Sequence, residues 1–139
     1  MSTINRIQTF TGRSQTVLRK AAKQYVERMD YTYQHKKAFL KVEKELTGKN
    51  TLAGYLHDSN KLVMFALGFP KNWVRKIHRA ISPHHPKNNK VKNPMGMVID
   101  MICSPMTKRD KQIDVRTHYE SLKEFPVKGV DELLKKFGY

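Results

Sequence analysis

The chain has 139 residues, enough for one domain with a single core, and 27 Lys and Arg against 12 Asp and Glu leave a formal charge of +15. Its 39% hydrophobic content is ordinary for a small globular protein. The longest apolar run, Leu62 to Phe69, is shorter than the ~18 residues that span a bilayer, so no membrane partner is expected.

A field of this sign concentrates polyanions and phosphorylated small molecules without choosing between them. The cations are scattered over Arg19, Lys20 and Lys23, over Lys36, Lys37 and Lys41, over Lys87, Lys90 and Lys92, and over Lys135 and Lys136. The opening sequence MSTINRIQTFTGRS lacks the apolar segment and cleavage site of a secretory signal. A lone Cys103 in an apolar setting reads as a buried reduced thiol. The absence of a secretory signal in that opening predicts a cytoplasmic protein.

In chain order, residues 1–13 read as an irregular lead-in and residues 14–139 as one domain without internal repeats. Ser14 is placed to cap a helix through Met29, whose Val17, Leu18, Ala21, Ala22, Tyr25, Val26 and Met29 form one apolar face that should be buried. A second helix is expected from Asp30 to Leu46, stopped by Thr47-Gly48. Its stripe of Tyr31, His35, Ala38, Phe39, Val42 and Leu46 puts His35 on the core side.

A third helix should start near Thr51 and end at Gly68-Phe69-Pro70, with Leu52, Tyr55, Leu56, Leu62, Val63 and Phe65 apolar and His57, Asp58 and Lys61 on the polar edge. A fourth should turn Trp73, Val74, Ile77 and Ile81 inward, with His78 beside them, and stop at Ser82-Pro83. The sequence PHHPKNNKVKNP from 83 to 94 predicts a loop in which prolines brace His84 and His85. In MGMVIDMIC, from Met95 to Cys103, only Asp100 is polar, and its carboxylate must be paired, hydrogen-bonded or bound to a cation. Pro105 should close that segment, followed by a basic turn at Thr107-Lys108-Arg109. A helix from Ile113 to Leu122 would carry His118 on its surface, and a last one, Val130 to Phe137, would dock through Val130, Leu133, Leu134 and Phe137. The sum is an all-α, compact single-domain bundle of about five to seven helices.

Imidazole nitrogens and carboxylate oxygens are good ligands for a borderline divalent metal, and neighbours on a helix point about 100° apart, so His57 and Asp58 can reach one ion from a groove. Each candidate also has a plainer reading. His35 can be a satisfied core histidine, Asp58 a helix-start acid, Asp100 half of a buried ion pair, and His84-His85 part of an exposed connector.

The order His35, His57-Asp58, His78 with His84-His85, then Asp100 resembles the HD superfamily of metal-dependent phosphohydrolases. In detail, HDSNK at 57–61, PHHP at 83–86 and VIDMIC at 98–103 resemble a small HD-like family of bacteria and their phages, with an HD-x-SK type motif, an NPHHP-type loop and an acidic-Met-apolar-Cys helix. The resemblance covers roughly residues 35 to 105. It departs from the family at Lys87, where an acidic residue usually follows the loop, and at Ser104-Pro105, where an acidic-Trp pair is frequent. Both departures bear on the substrate.

The resemblance implies an HD-type helical fold, in the host cytoplasm for a phage-encoded chain. A divalent ion (Mn, Fe, Co, Ni, Zn or Mg) would be held by His35, His57, Asp58 and Asp100. Asp58 would also orient the nucleophile. His78, His84 and His85 would neutralise phosphate, protonate the leaving oxygen or hold a second ion. Lys61 would stabilise the non-bridging oxygens, and Lys108 would join Lys61, His84 and His85 in binding substrate. The implied activity is hydrolysis of a phosphate ester or anhydride in a nucleotide-like molecule. Two alternatives stand beside it: a basic nucleic-acid-binding protein with a structural or degenerate metal site, and a metal-dependent oxygenase on the same scaffold.

Overall fold

A computed structural model describes the backbone of residues 3–108 and 113–139, with side chains from residue 12 onward in these spans. The described residues form seven helices and no strand: α1 (Thr3–Thr47), α2 (Leu52–Leu56), α3 (Ser59–Ala66), α4 (Lys71–Ile81), α5 (Pro94–Thr107), α6 (Val115–Glu120) and α7 (Val130–Lys136). The chain is all-α, as its sequence predicts. None of these helices is long and apolar enough to cross a membrane.

Over α1, where a lead-in and two helices were expected, one helix of 45 residues runs instead. No proline precedes Pro70, and Gly12 alone weakens a helix by only about 1 kcal/mol. Asp30, expected to begin a new helix, stays inside this one and accepts a hydrogen bond from Gln34 one turn on. The face expected to be buried on the first half is largely exposed: Val17, Leu18 and Val26 stand 67%, 68% and 63% open.

The second half of α1 is buried. Phe39 and Val42 pack on Ile99 and Cys103 of α5. The opposite face of α5 meets α6, α7 and the loop between them, through Met97, Val98, Met101, Val115, Tyr119, Val127, Val130 and Leu134. Thus α5 is the central layer, which is why its sequence is apolar nearly all round. It runs on to Thr107, past the stop expected at Pro105. Proline forfeits a single bond there, and the Lys108 N–H closes the last turn on the Ser104 carbonyl. Helix α6 is shorter than expected, capped by Asp114 accepting from the Thr117 N–H. Arg109 of the expected basic turn lies outside the described residues. Helix α7 docks as its apolar spacing predicts.

The third expected helix is broken at the residues of most interest. Asp58 adopts φ 56°, the left-handed region, and separates α2 from α3. Upstream, Thr51 caps α2 by accepting from the Gly54 N–H, while the buried Glu43 carboxylate of α1 accepts from both the Thr51 N–H and its hydroxyl. Gly54 leaves room for this clamp, because a Cβ there would collide with the Glu43 carboxylate and displace it. The break inverts the expected burial. His57 and Asp58 are 4% and 3% exposed, whereas Leu52, Leu56 and Val63 stand 74%, 61% and 58% open. In α4, Val74 and His78 face inward as expected, but Trp73 and Ile81 point outward.

Candidate metal centre

Five structural units deliver side chains to one point. Helix α1 supplies His35 from its buried half, and Phe39, one turn on, stacks on the His57 ring with centroids 3.8 Å apart. The α2–α3 joint supplies His57 and Asp58, because the left-handed turn swings adjacent side chains inward together. Helix α4 supplies His78 and the following loop supplies His84 and His85, while α5 contributes Asp100 from its α1-facing side.

His35 Nε2 lies 2.7 Å from Asp100 Oδ1, 3.4 Å from His57 Nε2 and 3.8 Å from Asp58 Oδ2. His57 Nε2 lies 3.2 Å from Asp100 Oδ1 and 3.6 Å from Asp58 Oδ1. On the other side of Asp58, its Oδ1 lies 3.0 Å from His78 Nε2 and 3.7 Å from His84 Nε2. Among the described residues, His35–His57–Asp58, His57–His84–Asp100, His78–His84–His85 and His35–Asp100–Cys103 each bring ligand atoms within 4.8 Å of one another. These buried groups could hold a metal ion.

Two observations show that the donors fit such an ion. Atoms bound to one first-row cation at about 2.0–2.2 Å sit about 3.0–3.5 Å apart, and the separations within the cluster centre on that range. Second, Asp58 Oδ1, His78 Nε2 and His85 Nε2 are buried without a hydrogen bond. His78 Nδ1 lies 2.8 Å from the Asn60 side-chain oxygen, and a ring proton held there would free Nε2 to bind a cation. His78 Nε2 and Asp58 Oδ1 lie 3.0 Å apart, each without a hydrogen bond. A cation between them would satisfy both.

Protonation favours the same use. Burial opposes ionisation of Asp58, but His78, His57 and Lys61 outweigh it and hold the carboxyl well below its usual range. Burial likewise works against Asp100, and the neighbouring His35 and His57 reverse it. Burial pushes His84 down to about 3, and burial with the adjacent His78 pushes His85 down to about 4. Near neutrality the cluster therefore combines anionic carboxylates with uncharged His84 and His85.

Lys61 Nζ donates to Asp58 Oδ2 at 2.9 Å, the one-turn relation its spacing predicts. Lys108 is exposed at the end of α5 and makes no polar side-chain contact with the cluster among the described residues. Several participants escaped the sequence reading. Ser82 Oγ lies 2.9 Å from His78 Nδ1 and accepts from the Asn60 side-chain amide, and Thr107 Oγ1 lies 3.4 Å from His35 Nδ1. Asn60 sits within the HDSNK motif, but nothing in the spacing marks Ser82 as more than a helix stop. Cys103 is fully buried, with its Sγ 3.5 Å from the Asp100 carbonyl oxygen and 3.9 Å from His35 Nδ1. Burial, with Asp100 and Asp58 nearby, pushes its thiol pKa up, which keeps it protonated. Comparison of the chain with protein-family models, with curated proteins and with solved structures finds no match in any of the three.

Proposed function

We propose that the chain is an HD-type metal-dependent phosphohydrolase acting on a phosphate ester or anhydride of a nucleotide-like molecule. The observation that carries this reading is the convergence of His35, His57, Asp58 and Asp100 beside His78 Nε2 and Asp58 Oδ1, two buried atoms that lack hydrogen bonds. The donor set is nitrogen and oxygen, with the only nearby thiol held neutral, which suits Mn, Fe, Co, Ni or Zn better than Ca. When bound, such an ion acidifies water and polarises a phosphoryl oxygen.

The remaining chemistry belongs to the side chains. Asp58 would hold the ion and accept a hydrogen bond from the attacking water. Lys61, already on Asp58 and about a quarter exposed, would offer its ammonium to the non-bridging oxygens of a substrate arriving from solvent. His78, fixed through Nδ1 by Asn60 and Ser82, would present only Nε2. The low pKa values of His84 and His85 favour them as ligands of a second ion over cationic partners for phosphate, with Asp58 between the two groups.

Elemental analysis of the purified protein tests the proposal. Bound transition metal is expected, lost on His57→Ala substitution while helical content is retained. Metal-loaded protein should then hydrolyse at least one member of a panel of nucleoside mono-, di- and triphosphates, cyclic nucleotides and short oligonucleotides. A metal-free protein whose stability is indifferent to chelator would overturn it.

A further inference from the structure

We propose that the outer face of α4 is a nucleic-acid-binding surface that grips the sugar–phosphate backbone. The inference is independent of the hydrolytic reading, because it concerns the side of α4 turned away from His78. Between residues 59 and 99 the chain holds eight Lys or Arg and no Asp or Glu. Within that stretch Asn72, Arg75, Lys76 and Arg79 recur at i, i+3, i+4 and i+7 and line a single shallow concavity. All four are exposed, and none of the cations takes part in an ion pair among the described residues. Two other basic stretches differ. Lys135 and Arg116 are bound to Asp131, and the lysines at the end of α1 are interleaved with Glu43 and Glu45.

From residue 72 to 79 the face extends about 10 Å, comparable to the axial rise of three nucleotides of a duplex at about 3.4 Å each. Two arginines a turn apart offer planar forks suited to phosphate oxygens. Trp73, the chain's single tryptophan, stands 64% exposed on the flank, where an indole can stack on an unpaired base. Beyond the helix, Lys87 Nζ donates to the Ala80 carbonyl and ties the loop bearing Lys90 and Lys92 to the end of this face. An anionic lipid surface fits less well. A helix lying on a membrane inserts its apolar face, and α4 has already committed Val74, with Ile77 beside it, to Met64 and Phe65, which leaves Trp73 and Ile81 as its large apolar side chains outside.

The test is binding of the full chain to 20-nucleotide single strands of DNA and RNA and to a 20-base-pair duplex, by anisotropy over a salt series. Binding that weakens steeply with salt is expected, with quenching of Trp73 fluorescence on the single strands. The triple variant Arg75→Ala/Lys76→Ala/Arg79→Ala should weaken binding about tenfold or more and lower the salt slope by about three. A control removing equal charge elsewhere, Lys123→Ala/Lys128→Ala/Lys136→Ala, should lose much less, and circular dichroism should show both variants folded. Equal losses in the two variants, no binding by the unmodified chain, or loss confined to phosphatidylserine vesicles would each overturn the proposal.

Discussion

The two halves of α1 carry the same helical period of apolar residues and meet opposite fates. Val17 and Leu18 stand 67% and 68% exposed, whereas Phe39 and Val42 are 3% and 4% exposed. What differs is the neighbour: α5 lies along the second half, and no described element lies along the first. Periodicity thus specifies a helix and the face it offers, while burial requires a second surface. His35 is a site residue because it sits on the half that has one.

The sharpest way to test this contrast acts on the buried half's chemistry. Asp58→Asn keeps a side chain that tolerates the left-handed backbone but removes the charge, so metal affinity should fall at least about 100-fold with helicity intact. Metal titration reads this, and unchanged affinity would remove Asp58 from the site. Next in size, Phe39→Ala should destabilise the protein by about 3–5 kcal/mol in urea unfolding, because it opens a cavity in the α1–α5 core and frees the His57 ring.

Glu43→Gln should cost about 1–3 kcal/mol by weakening the clamp on Thr51, and metal binding should loosen with it if that clamp orients His57. Acid acts in the same direction. In chelator-treated protein His84 and His85 titrate at about 3 and about 4, well below the ordinary histidine value of 6.5. The unfolded chain therefore binds more protons between pH 6.5 and that range, and stability should fall as pH drops through it. Below pH 3.8 the depressed Asp58 and Asp100 add a further loss of the same sign. Urea midpoints from pH 8 to 4 would show the first part. Smallest of all, Leu18→Ala should change stability by no more than about 0.5 kcal/mol. A loss above 1 kcal/mol would mean that the first half is covered in solution.

Much of the cluster was legible because polar residues stand out against apolar surroundings. His35 interrupts a stripe that otherwise faces the core, and Asp100 interrupts MVIDMIC. The joint that brings His57 and Asp58 inward was not legible. HDSNK contains no glycine or proline, so local rules extend a helix through it, and only tertiary constraints from α1 and α5 force Asp58 into a left-handed turn. The same limit hid the continuity of α1, where Asp30 resembles a cap although the helix passes through it. It also hid Trp73 and Ile81, whose apolar character predicts burial that no partner among the described residues supplies.

Cys103 sits at the seam between α1 and α5, fully covered and chemically quiet. A thiol-selective reagent can reach it only when those two helices part, which is the motion that would also separate His35 from Asp100. Its labelling rate therefore serves as a native clock for that opening event, with no probe engineered into the chain. Slower labelling in the presence of added cation would report ligand binding through the lifetime of the seam.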